Sequence, residues 1–419
     1  MDLFATRYMT RFSCIGPRCE DNCCHSWGVP VDRKHYDLLR EKMASPEEQD
    51  EFLRTVRVHN PDDKGQGYSM MVLQNDGRCS MLDDGGMCKV HARYGEEVLS
   101  NTCATYPRVA SRLGDRFELV GSGSCPEVAR LILLGDDAME MVPVEAPVYG
   151  RGMIARELDK NPTDNYRRSF YSVRSLLTAL LRVTQFSIGA RLFFVAFFAD
   201  KTRAWLRNDA ETFDGKTLFE LMQMMRQVEV LQDLDEQYAR IVIPVPFALS
   251  VIRELLLLPA KTVPVPLQEL IGEVTPLFAE RGLALDGSIE DLWHAFEELR
   301  PTMSTRIASR VDRYVERYAQ QYLLREWFVT EPSLMQYVMG LLARVAVVRF
   351  LLLCHPTLRR LALREDDEAI AELDALAVRV VYALSRMLEH DEPLADRLIN
   401  ELEEQSMTRL EHAVCLTKI

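Results

Sequence analysis

The sequence predicts a mainly α protein, in which a small loop-rich α+β cysteine module at the N-terminus is followed by an all-helical domain. Two observations carry this expectation. Eight of the ten cysteines fall within the first 125 residues, among turn signals, and from Tyr166 onward the apolar residues recur at helical spacing. The predicted boundaries are 1–135 for the cysteine module, 136–165 for a linker and 166–419 for the helical domain.

The module is punctuated by Ile15-Gly16-Pro17, Asn75-Asp76-Gly77 and Asp84-Gly85-Gly86, dipeptides that favour tight turns. Between them, Tyr68 to Gln74 and Arg116 to Val120 read as short strands. A helix is expected from Asp32 to Met43, with Asp32 as its N-cap, and another near Pro126, since proline suits a first helical turn. The segment Asp136 to Pro162, rich in proline and poor in periodicity, reads as the linker. Beyond it, Phe170, Val173, Leu176, Leu177, Leu180 and Leu181 form one helical stripe. Further stripes are Leu218 to Leu234, Phe247 to Leu258, Ile289 to Leu299, Leu334 to Leu353 and Ile370 to Leu388. Val338 to Cys354 is the most apolar of these stretches, but Arg344 and Arg349 interrupt it, and Ala190 to Ala199 is too short to cross a bilayer. Both are expected to be buried helices, with peripheral membrane contact left open.

A formal net charge of -13, from 63 acidic against 50 basic residues, argues against a sequence-independent grip on nucleic-acid phosphates. The first residues, MDLFATRYMTRF, lack the apolar core and cleavage site of a secretory signal, so a cytoplasmic location is expected.

The chemistry lies in the thiols. Cys14, Cys19, Cys23 and Cys24 form one group, Cys79, Cys88 and Cys103 a second, and Cys125 follows. Clustered thiols in a reducing compartment are metal ligands more often than disulfides. One loop can present several thiolates at ~2.3 Å to a soft metal while the distant group completes the shell. Sulfur donors select zinc or an iron-sulfur cluster over magnesium or calcium. Eight thiols exceed the four ligands of a usual site, so either two sites exist or some thiols stand behind the ligands. The spacing matches neither a bacterial ferredoxin run nor Cys-x3-Cys-x2-Cys: Cys19 and Cys23 fit the first half of the latter, but Ser26 stands where the third cysteine belongs.

Other residues have a functional and a structural reading. His25 and His91 can replace a thiolate or support one. Trp27, Tyr94 and Tyr106 can line a pocket for an alkylammonium or sulfonium, or simply pack. Asp83, Asp84, Glu96 and Glu97 can take a proton from an amine or form a solvated loop. Arg108 can offset a thiolate-ligated centre or bind a carboxylate bidentately. Val120-Gly-Ser-Gly-Ser124 lacks the third glycine of a dinucleotide fingerprint and reads better as a turn. Cys354 and Cys415, on apolar helical stretches, read as core or incidental thiols.

The residues around the cysteines resemble those of a known family. Cys14 through Trp27, Gly77 to Leu82, Cys88-Lys-Val-His91, Cys103 to Arg108 and Ser124-Cys-Pro-Glu-Val-Ala129 are similar to the flagellin lysine N-methylases. Their N-terminal half in turn resembles the broader group of zinc- or iron-chelating cysteine-rich modules. The resemblance implies methyl transfer from S-adenosylmethionine to lysine side chains of flagellin before export. It also implies an iron-sulfur cluster of the four-iron type, with Cys14, Cys19, Cys23, Cys24, Cys79, Cys88, Cys103 and Cys125 as the pool of ligands. Trp27, Tyr106 and Arg108 are the matching candidates for contact with the donor. The competing expectation is a non-catalytic zinc or iron scaffold, because no donor-binding motif is visible.

Overall fold

A computed structural model describes residues 2–419 apart from 26–27, 64–66, 146–150, 152–153, 163, 204–214, 243–246, 259–262 and 391. The chain divides into two compact units: unit 1 holds Met1–Leu131 and Glu140–Glu157, and unit 2 holds Ile132–Met139 and Leu158–Ile419.

Unit 1 contains two sheets. The strands in chain order are β1 (Asp2–Thr6), β2 (Pro30–Val31), β3 (Val56–Val58), β4 (Ser69–Met71), β5 (Arg108–Leu113), β6 (Arg116–Gly121), β7 (Met141–Pro143) and β8 (Ile154–Leu158). The larger sheet has the order β7-β1-β6-β5-β8, with β1 parallel to β6 and β5 antiparallel to it; the smaller has the order β2-β4-β3. The tight β5–β6 hairpin turns at Gly114, whose φ of 60° is the left-handed conformation that glycine adopts without strain. The expected strand at Arg116 to Val120 is present as β6, whereas the one at Tyr68 to Gln74 is shortened to β4. Its end is diverted because Gln74 and Arg78 close a turn around Asn75 to Gly77.

Helix Arg33–Lys42 begins where expected, since the Asp32 carboxylate accepts the His35 amide N–H at 3.2 Å. The same carboxylate meets His35 Nδ1 at 2.7 Å and is buried, so cap and imidazole neutralise each other's demand for a partner. The helix lays Tyr36 and Leu39 against Phe52, Tyr68, Cys79, Met81 and Val90 in the core of this unit. Helix Pro46–Thr55, which the sequence reading did not anticipate, starts with a full capping box between Ser45 and Glu48.

The segment 136–165 differs from a plain linker. It supplies β7, paired to β1, and β8, next to β5. Its prolines do not conflict with this, because Pro143 ends an edge strand where no ladder N–H is needed.

In unit 2 the described residues after Leu158 form helices and no strand. The hub is helix Leu334–Cys354, long and apolar enough by composition to cross a membrane, with mean hydropathy 2.0 and 89% of that window buried. It touches helices Ile188–Lys201, Phe247–Leu256, Val265–Ala279, Thr305–Arg325, Asp367–His390 and Leu410–Thr417, which explains why it is apolar on every side. Arg349 reconciles its charge with this setting by donating to the Thr417 carbonyl at 3.1 Å, and Arg344 donates to Gly340 and lies over the Tyr322 ring. The single stripe expected at Leu218 to Leu234 is two helices, Gly215–Met224 and Val228–Arg240, broken at Met225 to Gln227. Cys354 is buried in the hub and is a core thiol, whereas Cys415 is part-buried and bonds its own helix through the Glu411 carbonyl.

Candidate metal centre

The two cysteine groups of unit 1 are joined through the backbone. Cys79 N–H donates to the Cys24 carbonyl at 2.8 Å, and His25 pairs with Arg78 in an antiparallel bridge. This places the Cys23-Cys24 step beside the start of the second group. A further bridge pairs Leu82 with Cys88 around the turn at Asp83 to Met87, where Asp83 Oδ1 accepts the Met87 N–H at 2.8 Å. Asp83 is therefore occupied in shaping the loop that carries Cys88. Cys103 rides on the short helix Asn101–Thr105, whose Ser100 cap accepts the Cys103 N–H at 3.1 Å. Cys125 precedes helix Pro126–Leu134, and Arg130 on that helix pairs with both Glu127 and Glu20. The Glu20 pair ties the first cysteine loop to the helix behind Cys125. Sequence reading missed it, because only the local Glu127–Arg130 spacing is visible there.

Electrostatics sort the thiols into two neighbourhoods that share Cys23. A hydrogen bond with Cys23, together with burial, pushes Cys24 up; Cys23, Cys103 and Cys79 add like-charge repulsion. Burial raises Cys79 and pushes Cys103 up to about 12, and for Cys103 the neighbouring Cys88, Cys23 and Cys79 add to it. On the other side, burial pushes Cys125 up to about 12 and Cys19 up to about 11; Cys19 and Cys23 repel Cys125, and Cys23 and Cys14 repel Cys19. Cys103 is exposed at the surface, yet its thiol is strongly desolvated. Among the described residues, no three His, Cys, Asp or Glu side chains are closed up into a coordination shell.

This donor set suits a soft cation. Crowded, part-buried thiols resist becoming several thiolates on their own, and a bound metal removes that resistance by supplying positive charge and displacing the protons. Zinc or an iron-sulfur cluster would suit the all-sulfur chemistry, and thiolates drawn from Cys23, Cys24, Cys79, Cys88 and Cys103 would be the ones to hold it, with Cys14, Cys19 and Cys125 forming the second neighbourhood.

The remaining candidates separate. Trp27 lies outside the described residues. Tyr94 is directed to Glu48, with its hydroxyl 2.6 Å from Oε1, and thus serves the contact with helix Pro46–Thr55. His91 is exposed, and His25 is part-buried at its bridge to Arg78. Glu96 and Glu97 belong to a 3-10 turn, and the Glu96 carbonyl accepts from Arg151. Tyr106 joins a hydroxyl chain, 3.0 Å from Ser124 Oγ, which is 2.5 Å from Ser122 Oγ. The Gly121 to Ser124 segment is thus a turn from β6 into helix Pro126–Leu134, packed so closely that a Cβ at Gly121 would meet Met9 Sδ at 2.7 Å and Val128 Cγ1 at 2.8 Å. Arg108 opens β5 with its guanidinium carbon 5.2 Å from the centroid of the Phe12 ring.

Comparison with known proteins matches residues 174–416 to the FliB lysine N-methylase C-terminal domain, a stretch that lies wholly in unit 2 and beyond all eight clustered cysteines. A protein named Lysine-N-methylase from Salmonella typhimurium strain LT2 is 29% identical over 146 residues, covering 32% of this chain and 33% of that protein. A Flagellar biosynthetic protein FliU from Salmonella muenchen is 29% identical over 138 residues, covering 32% of this chain and 78% of that protein. The chain thus spans about a third of the length of the lysine-N-methylase it matches. No solved structure matches. With the family's C-terminal domain extending over more than half of its length, the chain belongs to the FliB lysine N-methylase family.

Proposed function

We propose that this protein methylates lysine side chains of flagellin in the cytoplasm, using S-adenosylmethionine as donor and depending on an iron-sulfur cluster of the four-iron type held by the cysteines of unit 1. The observation that carries the reading is the family match over residues 174–416, and the name of the matched FliU protein connects it to the flagellum. The cluster is supported by the chemistry of the eight thiols of unit 1, five of which, Cys19, Cys24, Cys79, Cys103 and Cys125, neighbour Cys23.

In the reaction, the neutral lysine Nζ attacks the methyl carbon, the sulfur–methyl bond breaks, and S-adenosylhomocysteine leaves. The lysine must lose one proton before attack and another as the ammonium product forms its free base. The chain's contribution is to hold donor and amine in line and exclude water, a positioning effect that accounts for large factors in rate. When bound, the cluster would tie the two cysteine groups together through iron–thiolate bonds. Tyr106, fixed by the Ser124 hydroxyl, is the candidate wall of the donor pocket, with Trp27 as its proposed companion.

Anaerobically purified protein, incubated with flagellin and S-adenosylmethionine, is expected to add whole methyl increments to flagellin by intact-mass measurement, mapping to lysines. An unchanged flagellin mass with metal-loaded protein would reject the enzymatic reading in favour of a metal-stabilised scaffold.

A further inference from the structure

We propose that Arg108 is the carboxylate-binding residue of unit 1, and that the group it binds is the α-amino-acid carboxylate of the methyl donor; the inference rests on the donor proposed above. Arg108 is set apart from the other arginines of its sheet. Its neighbour on the same face of β5, Arg112, pairs with Glu157, and Arg116 across the hairpin pairs with Glu118 at 2.8 Å. Among the described residues, Arg108 has no hydrogen-bond acceptor and no ion pair, and its Nε is fully buried. A guanidinium cannot shed its charge, so a buried Nε–H without an acceptor is costly, while the terminal N–H groups are not buried in the same way. The protein has an excess of 13 negative charges and nevertheless spends none of them here.

The surroundings fix both the orientation of the group and the kind of anion it suits. The Phe12 ring lies against the guanidinium at 5.2 Å, which restrains the cation while leaving N–H donors for a ligand. Phe12 precedes Cys14 by two residues, and the start of β5 is held against the turn before Cys125 by the Ser122 N–H bond to the Pro107 carbonyl at 2.8 Å. Arg108 therefore stands where the first cysteine loop and the Ser122 to Cys125 turn approach each other. A single guanidinium against an aromatic ring suits a monoanion with two coplanar oxygens, where a phosphate would call for more cations. The amino-acid end of S-adenosylmethionine carries one such group.

The test is calorimetric binding to the full-length, anaerobically purified protein, using S-adenosylhomocysteine and its decarboxylated analogue as probes. The unsubstituted protein should prefer the carboxylated probe. Arg108→Gln should lower affinity for that probe roughly 10- to 100-fold and abolish the preference, as expected for loss of a charge-assisted bidentate contact. Arg108→Lys should fall between the two, since an ammonium keeps the charge without the planar fork. Metal content and circular dichroism should match the unsubstituted protein in both variants. An Arg108→Gln protein that keeps its preference overturns the inference. One that instead loses its metal also overturns it, and assigns the guanidinium to the cysteine centre. If neither probe binds the unsubstituted protein, the donor assignment itself fails, a result separate from either of the others.

Discussion

A Cys23→Ser chain is expected to purify without metal and with the cysteine-rich unit unfolded or loosened, while Cys415→Ser keeps both metal and fold. Cys23 is the thiol common to the two neighbourhoods, adjoining Cys24, Cys79 and Cys103 on one side and Cys19 and Cys125 on the other. Cys415 is remote in sequence and already bonds a carbonyl of its own helix. The effect is large because the small sheet next to the cysteine groups is built of short strands: β2, β3 and β4 have two or three residues each. Metal binding to a site that the unfolded chain lacks adds directly to folding free energy, on the order of 10 kcal/mol for structural zinc at neutral pH. Cys88→Ser should behave in the same way, since Cys88 lies on the loop of the second group. The check is metal analysis beside a thermal unfolding scan; full metal content in either variant would remove that thiol from the ligand set.

The second large effect is expected in the helical unit. Trp327→Ala should destabilise it by about 3–5 kcal/mol, the usual range for truncating a buried aromatic to alanine. Trp327 is 1% exposed and packs on the Phe170 ring at 5.0 Å, while Phe170 stacks on Phe328 at 5.6 Å. Tyr166 completes the cluster, its hydroxyl donating to the Phe328 carbonyl at 2.7 Å. The indole Nε1 is buried without an acceptor among the described residues. Trp327→Phe should therefore cost clearly less than Trp327→Ala, because it keeps most of the ring contact and removes a donor whose hydration was lost without return. Denaturant unfolding followed by far-ultraviolet circular dichroism measures both; equal losses in the two variants would show that ring packing is not what holds this cluster.

Where a pattern is local, the sequence displayed it. The stripe Ile289 to Leu299 became helix Ile289–Leu299, and Asp32 capped its helix because side chain and amide are three residues apart. Non-local pairing was not visible. β1, within Asp2–Thr6, shows too few residues for alternation, and it is a strand because β6 and β7 flank it. β7 and β8 were hidden in the same way inside a stretch whose prolines suggested a linker. The break at Met225 to Gln227 escaped notice because apolar spacing continues across it, while the backbone turns through the Gln227 N–H bond to Met224.

The candidate site divides along the same line. Clustering of the thiols and their taste for soft metals could be read from composition and spacing. Their grouping about Cys23 could not, since it depends on the bridge between His25 and Arg78 and on the Cys79–Cys24 bond. The isolation of Arg108 was equally out of reach, because it is a statement about which acceptors fail to arrive.

The most direct measurement is iron, zinc and acid-labile sulfide per chain in protein purified without oxygen. A cysteine-held iron-sulfur cluster predicts brown protein with iron and sulfide in equal amounts, about four of each per chain for a cubane. Colourless protein carrying zinc alone, or no metal at all, would contradict it.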